Sequence, residues 1–547
     1  MTTVDKPAVP RVSREEQKRL LSLSPFEIKD TLIALADERA QAGAAQMLNA
    51  GRGNPNWIAT TPRNAFWLLG RFGIAESKRA WDEWPEIGGM PGKEGIAARF
   101  RLFLEEHRSD PGADLLRHSV DYGVNKLGFD ADTWVHELAD SVIGDNYPVP
   151  DRMLRCIEKV VHAYLVKEMC AGQDQKFDVF ATEGGTAAMC YLFDSLIINR
   201  LLQPGDTIAI MVPIFTPYLE IPHLERYKFN VVELNATKTN QDGFHTWQYP
   251  EEELAKLADP SVKALFCVNP SNPPSVMLPE AATSQIAGIV AKQNPDLVII
   301  TDDVYGTFVN GFRSLLSTLP RNTLGVYSYS KYFGATGWRL GAIMVNEDNI
   351  FDDMLARLPQ PDKDALNERY STLTLEPEKI RFIDRLVADS RQVALNHTAG
   401  LSLPQQCQMA LFSLYALLDE HDEYKRTCQA IIQRRLHALC KGMGVELPKD
   451  EYSAHYYVEL DLLSWAERNW GKDFATWMRE NFEPVDPLFR LAQKGSIVLM
   501  NGGGFDGPEW SVRVSLANLR MDAYEQIGKW LAEIGQEYRA EYEARPR

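Results

Sequence analysis

Short apolar runs, rich in β-branched residues, alternate with helical stretches over much of this chain. Six such runs lie at residues 177–181, 207–212, 262–268, 297–301, 324–327 and 340–345. Alternation of this kind predicts an α/β fold, a mostly parallel sheet with helices on both faces. Ligands bind such sheets beyond the carboxyl ends of the strands. The loops that follow these runs are therefore where functional side chains are expected.

One lysine stands in the loop between the last two runs. The segment 328–341 reads SYSKYFGATGWRLG and places Lys331 between hydroxyls and glycines. A primary amine there can form a Schiff base with an aldehyde cofactor, and Ser328, Ser330 and Arg339 are donors that a phosphate needs. We interpret Lys331 as a pyridoxal-phosphate lysine. A solvated surface lysine is the alternative, because most lysines are exposed.

Three further loops carry polar residues after predicted strands. Gly184, Gly185 and Thr186 open a helix, where free backbone N–H groups can bind an anion. Asn272 lies in a proline-fixed loop, and its amide can donate to a phenolate-like oxygen. Asp302 and Tyr305 follow an apolar run that is expected to be buried, so their polar groups need hydrogen-bond partners. A plain cap of the next segment is the alternative for Asp302.

Taken in order, these loops resemble the fold-type-I pyridoxal-phosphate enzymes of the aspartate aminotransferase class. The resemblance covers residues 147–341 and returns at Arg513. It implies a large domain, with a mostly parallel seven-stranded sheet flanked by helices, and a smaller α+β domain. It also implies pyridoxal 5'-phosphate as the cofactor, bound covalently to Lys331.

The resemblance assigns roles to the other residues in the same way. Asp302 would keep the pyridine nitrogen protonated, and Asn272 and Tyr305 would hydrogen-bond the phenolate oxygen. The phosphate would be held by Gly184, Gly185, Thr186, Ser328, Ser330 and Arg339, and by Tyr147 across a dimer interface. Phe215 falls where the family places a ring stacked on the cofactor. Tyr218 takes a position beside Asp302 that is histidine in related aminotransferases.

Two arginines are candidates for the carboxylates of an amino-acid substrate. Arg513, in the predicted strand 511–515, matches the family arginine that binds the α-carboxylate, and Gly53 would lie over the same group. No arginine after Lys331 stands in the motif that dicarboxylate-specific aminotransferases use for the distal carboxylate. Arg52 is our candidate for that role, and a surface arginine is an equally good interpretation.

The outline of the chain narrows the expected reaction. An amino-terminal arm (residues 1–59), a helical insertion (60–145), a large domain (146–358) and a long small domain (359–547) together resemble bacterial L-aspartate 4-decarboxylases, which also have aspartate aminotransferase activity. The resemblance implies conversion of L-aspartate to L-alanine and CO₂, and 2-oxo acids such as pyruvate as partners in the side reaction. A plain aminotransferase for dicarboxylic or aromatic amino acids is the alternative.

Composition excludes other classes of function. The net charge of −17 and the absence of a basic block argue against nucleic-acid binding, and so against a regulator that keeps this fold as a sensor. Seven scattered cysteines without a C-x-x-C pair favour reduced thiols in the cytoplasm. Residues 1–11 lack the apolar core of a signal peptide, and no membrane span or metal site is predicted. We expect a homodimer at least, and a larger assembly of dimers.

Overall fold

The described part of the amino-terminal arm contains two helices and a short strand. The computed structural model describes residues 12–41, 46–446 and 448–545, so the expectation for residues 1–11 lies outside the described residues. The arm contains α1 (Arg14–Leu20), α2 (Pro25–Gln41) and the short strand β1 (Leu48–Asn49). The Ser13 hydroxyl accepts a hydrogen bond from the Glu16 amide and satisfies one of the free N–H groups that start α1.

Four helices follow the arm, in the stretch predicted to be helical. They are α3 (Thr60–Ala80), α4 (Ile96–Glu106), α5 (Ala113–Asn125) and α6 (Ala131–Ile143). Phe72 of α3 packs against Phe100 of α4 with ring centroids 4.5 Å apart. Trp134 of α6 is fully buried and donates its indole N–H to the Ser119 carbonyl. These aromatic contacts give the four helices a core of their own.

The centre of the molecule is a seven-stranded sheet, as predicted. Its strands are β2 (Phe177–Thr182), β3 (Thr207–Val212), β4 (Asn230–Asn235), β5 (Val262–Val268), β6 (Val298–Asp302), β7 (Thr323–Ser328) and β8 (Gly341–Asn346). Their order across the sheet is β2-β8-β7-β6-β5-β3-β4. Only β8 runs against its neighbours β2 and β7, and the other pairings are parallel. The carboxyl ends of β5, β6 and β7 therefore meet at one edge.

Helices cover both faces of this sheet, which is why its central strands are largely apolar. They are α7 (Arg155–Met169), α8 (Gly185–Ile198), α9 (Thr216–Glu220), α10 (Glu251–Ala255), α11 (Glu280–Lys292), α12 (Leu315–Thr318), α13 (Ile350–Arg357), α14 (Gln360–Tyr370), α15 (Phe382–Asp389) and α16 (Leu403–Leu418). α16 packs on α7 and also on α3, α5 and α6. It thus joins the four-helix stretch to the central layer.

The carboxyl-terminal part of the chain builds a second, smaller sheet. Its elements are α17 (Glu423–Met443), β9 (Tyr457–Asp461), α18 (Leu462–Trp470), α19 (Lys472–Asn481), α20 (Asp486–Gly495), β10 (Ile497–Val498), β11 (Met500–Asn501), β12 (Ser511–Ser515) and α21 (Met521–Glu543). β12 lies between β11 and β9, antiparallel to both. The long helices α17 and α21 pack together.

The arm is held by this carboxyl-terminal part. Ile28, Leu32 and Ala36 of α2 recur every four residues and are at most 1% exposed, so they form one buried face. That helix packs on α20, β10 and β11, and β1 pairs in parallel with β10. The arm therefore enters the molecule beside β12 and delivers residues 51–53 to the edge of the large sheet.

Within the described ranges, no helix has both the length and the apolar character needed to cross a membrane. No disulfide joins any of the cysteines that the structure describes.

Candidate active site

One cavity of about 370 Å³ lies where the large sheet, the arm and the small sheet meet. Most of the residues predicted for the site line it: Arg52, Gly53, Gly185, Thr186, Phe215, Tyr218, Asn272, Asp302, Tyr305, Ser328, Ser330, Lys331, Arg339 and Arg513. Gly184 directly precedes this lining as the residue before α8. A larger cleft of about 1680 Å³ lies between residues 238–248 and 433–469, and it contains none of the predicted residues.

Lys331 faces the cavity. It follows β7, and its amine donates a hydrogen bond of 3.1 Å to the Gly53 carbonyl. The same carbonyl accepts a hydrogen bond of 2.8 Å from the Tyr456 hydroxyl. The side chain is half-buried and anchored to the arm, which is not the environment of a solvated surface lysine. The amine is thus held at the carboxyl edge of the sheet, where a ligand would bind.

A cradle for an anion lies beside the lysine. Gly184 adopts φ = +95°, and a Cβ at this position would lie 2.5 Å from Nη2 of Arg339, so only glycine lets the guanidinium approach the start of α8. The Ser328 hydroxyl donates to that of Ser330 at 2.9 Å. The first N–H groups of α8 have no carbonyl one turn earlier and carry the positive end of the helix dipole. Hydroxyls, a cation and free amides converge here.

Asp302 is the last residue of β6 and is buried at the floor of the cavity. Its Oδ2 accepts a hydrogen bond of 2.8 Å from the Tyr218 hydroxyl, and its Oδ1 accepts one of 3.2 Å from the Val304 amide. Burial raises the pKa of this carboxyl, whereas the two hydrogen bonds and the charge of Lys331 oppose the rise. The bond from the Val304 amide caps the start of the next segment, as the alternative expects, and Asp302 also lines the cavity.

Arg513 is 2% exposed and lies on the opposite wall, on β12. Its Nη1 donates to the side-chain oxygen of Asn272 and its Nη2 to the Gly51 carbonyl, each at 3.0 Å. Because Asn272 uses its oxygen for this bond, its amide NH₂ is left to donate into the cavity. The guanidinium also lies 4.3 Å from the ring centroid of Tyr457 and 4.9 Å from that of Phe505.

Tyr305 has a partner that sequence analysis did not include. Its hydroxyl donates a hydrogen bond of 3.1 Å to the hydroxyl of Tyr457, the first residue of β9. Burial, with the neighbouring Tyr457, raises the pKa of Tyr305 well above its ordinary value, so this phenol stays protonated. Residues 456–460 form an apolar run typical of a strand, but nothing in its spacing marks Tyr457 as a cavity residue.

The arm contributes two more cavity residues that sequence analysis missed. Phe26 of α2 meets the ring of Phe215 edge to face, with centroids 5.8 Å apart, and Lys29 lies one turn further along the same helix. Only the tertiary packing of α2 brings them here. Arg52 lines the same part of the cavity, is exposed, and forms no ion pair with any described residue. Tyr147 is 68% exposed and lies outside the cavity of its own chain.

Comparison with known proteins agrees with this geometry. Residues 179–527 match the family model described as aminotransferase class I and II, which is more than half of the chain. The chain belongs to this family. It is also 48% identical over 533 residues to a bifunctional aspartate aminotransferase and L-aspartate beta-decarboxylase from Pseudomonas sp, covering 97% of this chain and 99% of that protein.

Solved aminotransferase structures share the fold. The aspartate aminotransferase from Thermus thermophilus with maleate has a TM-score of 0.56 at 16% identity, covering 96% of this chain and 100% of that one. N-succinyldiaminopimelate aminotransferase from Mycobacterium tuberculosis has a TM-score of 0.55 at 17% identity over the same shares of the two chains. The class I and II aminotransferase fold therefore extends over almost the whole molecule.

Aminotransferases of this family depend on pyridoxal 5'-phosphate, and the cavity of this aminotransferase fits that cofactor. The space that a Cβ at Gly184 would fill lies against Arg339, beside Ser328 and the start of α8, and suits a phosphate. Asp302 offers a buried carboxylate to a ring nitrogen, and Asn272 offers an amide to a ring oxygen. Lys331 lies close enough to share the cavity with all of them.

Proposed function

We propose that this chain is a pyridoxal-phosphate-dependent L-aspartate 4-decarboxylase. It converts L-aspartate to L-alanine and CO₂, and it also transfers amino groups between aspartate and 2-oxo acids such as pyruvate. The relative from Pseudomonas sp, with its two named activities, supports the proposal across nearly the full length of the chain. The cavity supports it independently.

The observation that carries the proposal is the uncompensated charge of Arg513. This buried guanidinium hydrogen-bonds only neutral oxygens, those of Asn272 and Gly51, and it forms no ion pair within the described parts of the chain. A buried cation is costly without a counter-charge. A substrate α-carboxylate supplies that charge, so Arg513 provides a binding site for amino acids opposite Lys331.

The residues around Lys331 would hold the cofactor. Gly184, Gly185, Thr186, Ser328, Ser330 and Arg339 would bind its phosphate, Asp302 its ring nitrogen, and Asn272 and Tyr305 its phenolate oxygen. Bound covalently at Lys331, pyridoxal 5'-phosphate supplies an electron sink for bonds at the substrate carbons. Asp302 maintains that sink because an ionised carboxylate keeps the ring nitrogen protonated. Tyr218 helps by donating to the carboxylate and opposing the effect of burial on its pKa.

Lys331 would move the protons of the reaction. Its amine lies on the cavity side of Gly53, where it can accept the proton of the substrate α-carbon. The β-carboxylate then leaves as CO₂, and the electron pair of the broken C–C bond stays with the β-carbon. Two protons, both delivered from the side of Lys331, then complete L-alanine: one is added to the β-carbon and one is returned to the α-carbon, so that the reaction consumes one proton overall. If water releases the carbon skeleton from the cofactor before CO₂ is lost, the product is oxaloacetate and the amino group stays on the cofactor. This is the aminotransferase outcome.

Arg52 is the proposed contact for the β-carboxylate. It lines the cavity beside Gly53, and as an exposed cation without an ion pair it is free to bind an anion. A partly solvated arginine holds a carboxylate less tightly than a buried one. A weak contact suits a group that must lose its charge and leave as neutral CO₂. Lys29 adds a second positive charge from α2 to the same wall.

We also propose that the protein is at least a homodimer and assembles further. Tyr147 and Val149 are 68% and 76% exposed outside their own cavity, which supports the expectation that Tyr147 completes the phosphate site of a neighbouring chain. Trp67, Ile74 and Trp81 recur every seven residues along α3 and its end, and they are 62%, 53% and 44% exposed. An apolar stripe of this size on a helix favours contact between dimers.

The division of the chain into four parts remains a prediction. We propose it with one change, which concerns where α15 and α16 belong. The second sheet and α17–α21 support a small domain within residues 359–547. α15 and α16 fall in the same range, but they pack on α8 and α7 of the central layer. The large domain therefore includes them in space. Cysteines without disulfides in the described parts of the chain support the proposal that the protein works in the reducing cytoplasm.

Incubation of the purified protein and pyridoxal 5'-phosphate with L-aspartate tests the proposed function. Alanine and CO₂ should appear in equal amounts, with less oxaloacetate, and Lys331→Ala should form none of the three. Oxaloacetate without CO₂ would identify a plain aminotransferase. Binding of aspartate without any product would identify a sensing module and overturn the proposal.

A further inference from the structure

Tyr457 is a buried cavity residue whose hydroxyl proton has no acceptor among the described residues. The side chain is 2% exposed. The Tyr457 amide donates a hydrogen bond of 2.9 Å to the Ser275 hydroxyl, which fixes the backbone here. The Tyr305 hydroxyl donates to the Tyr457 oxygen at 3.1 Å. Because one lone pair of that oxygen is already in use, the Tyr457 proton must point elsewhere. Tyr457 lines both the larger cleft and this cavity, and its hydroxyl lies on the cavity side, next to Gly53.

The hydroxyl lies beside the amine of Lys331. A Cβ added to Gly53 would lie 2.7 Å from the Tyr457 oxygen and 3.2 Å from Nζ of Lys331. The two polar atoms therefore border the same small space, which the glycine leaves open. A substrate whose α-carbon is to reach Lys331 has to pass next to the Tyr457 hydroxyl.

The ring of Tyr457 also supports Arg513. The guanidinium carbon lies 4.3 Å from the ring centroid, a cation–π distance, and in the pairing of β9 with β12 Tyr457 lies opposite Ser515, two residues from Arg513 on the same face. Arg513 thus lies over a ring whose hydroxyl extends toward Lys331. The Tyr457 side chain therefore presents its ring face to Arg513 and a hydrogen-bond donor toward Lys331.

We propose that the Tyr457 hydroxyl donates a hydrogen bond to the α-carboxylate that Arg513 binds. The proposal rests on the proposed function, because it takes an amino acid as the ligand. The bond orients the carboxylate so that the α-carbon faces Lys331. Since every amino-acid substrate has an α-carboxylate, Tyr457 contributes equally to substrates with and without a second carboxylate.

Tyr457→Phe tests the proposal, because phenylalanine keeps the ring under Arg513 and removes only the hydroxyl. The measurements are KM and kcat for aspartate decarboxylation, KM for alanine in exchange with pyruvate, and the Kd of maleate by calorimetry. We expect all three affinities to weaken by the same factor, about tenfold or more for a hydrogen bond to a charged group, with kcat changed less than about threefold.

The matched control is Tyr164→Phe. Its hydroxyl pairs with that of Tyr327 at 2.7 Å, another buried tyrosine pair, but neither residue lines the cavity. This variant should leave the three affinities unchanged, and melting temperatures show whether both variants fold.

Three results would overturn the proposal. The first is unchanged affinities in Tyr457→Phe. The second is a loss of affinity for aspartate alone, which would place the hydroxyl at the β-carboxylate. The third is a fall in kcat alone, which would indicate a role in proton transfer. A wild-type protein that forms no alanine would refute the proposed function instead, and the maleate titration would still measure the role of Tyr457.

Discussion

Tyr218 controls the charge of Asp302 through a single hydrogen bond. The bond from its hydroxyl stabilises the ionised carboxylate, whose pKa burial raises. Removing it in Tyr218→Phe should raise the pKa of Asp302 further, because only the Val304 amide and the charge of Lys331 then oppose burial. The acidic limb of the kcat–pH profile should move up by about one pH unit, as expected for one hydrogen bond to a charged group. The same profile in Tyr164→Phe should not move, and a limb that stays in place in Tyr218→Phe would contradict this role.

Arg513 and Arg52 should differ in which substrates they serve. Loss of a buried arginine that binds a carboxylate costs on the order of 2–5 kcal/mol. Arg513→Ala should therefore lower kcat/KM about 30-fold or more for every amino acid. Arg52→Ala should lower kcat/KM for aspartate and spare the exchange of alanine with pyruvate. Equal losses in both reactions for Arg52→Ala would show that this arginine supports the site as a whole.

At the scale of elements, the pairing of β9 with β12 places a second ionisable group next to Arg513. Glu459 lies directly across from Arg513 in the small sheet and is 6% exposed. Burial raises the pKa of Glu459 to about 8, although the Ser511 hydroxyl and the charge of Arg513 lower it. The folded protein thus keeps a proton on Glu459 over a pH range in which the unfolded chain has lost it.

This proton predicts how stability depends on pH. An acid with a raised pKa in the folded state stabilises the fold at low pH, and that contribution is lost as the pH rises from the ordinary glutamate value to about 8. Glutamine cannot ionise, so Glu459→Gln should gain stability over the wild type across this window, by on the order of 1–4 kcal/mol at pH 9. Urea unfolding at pH 5 and pH 9 measures the difference. The exposed Glu467→Gln is the control, and a gain independent of pH would contradict the explanation.

The sequence predicts the strands of the large sheet better than the walls of the cavity. β3, β5 and β12 have the predicted bounds, and nearly all of their residues are buried. β4 was not predicted, since this edge strand is only partly buried and carries no strong pattern. Lys331, Asp302 and Arg513 were predicted because each stands in a motif. Phe26, Lys29 and Tyr457 were missed because only the packing of α2 and β9 brings them to the cavity.

At the scale of the whole molecule, the exposed stripe on α3 predicts how copies of the chain associate. Trp67→Glu combined with Ile74→Glu places two charges on an apolar face and should reduce the assembly to a smaller species, because burying an unpaired charge is costly. Sedimentation velocity measures the change. Leu375→Glu is the control, since this residue is 100% exposed and lies far along the chain from α3. Unaltered sedimentation of the double variant would exclude the stripe as a contact.

The hydrogen bond between Arg513 and the Gly51 carbonyl joins residues 462 positions apart, and that between Lys331 and Gly53 spans 278 positions. Both ends of the polypeptide must therefore be present before the substrate pocket exists. During translation the large sheet and its lysine can form while β12 is still inside the ribosome, but the growing chain then lacks Arg513, the proposed contact for the α-carboxylate. The enzyme cannot act on the cell's aspartate until the strand with Arg513 has emerged and the arm has closed beside it.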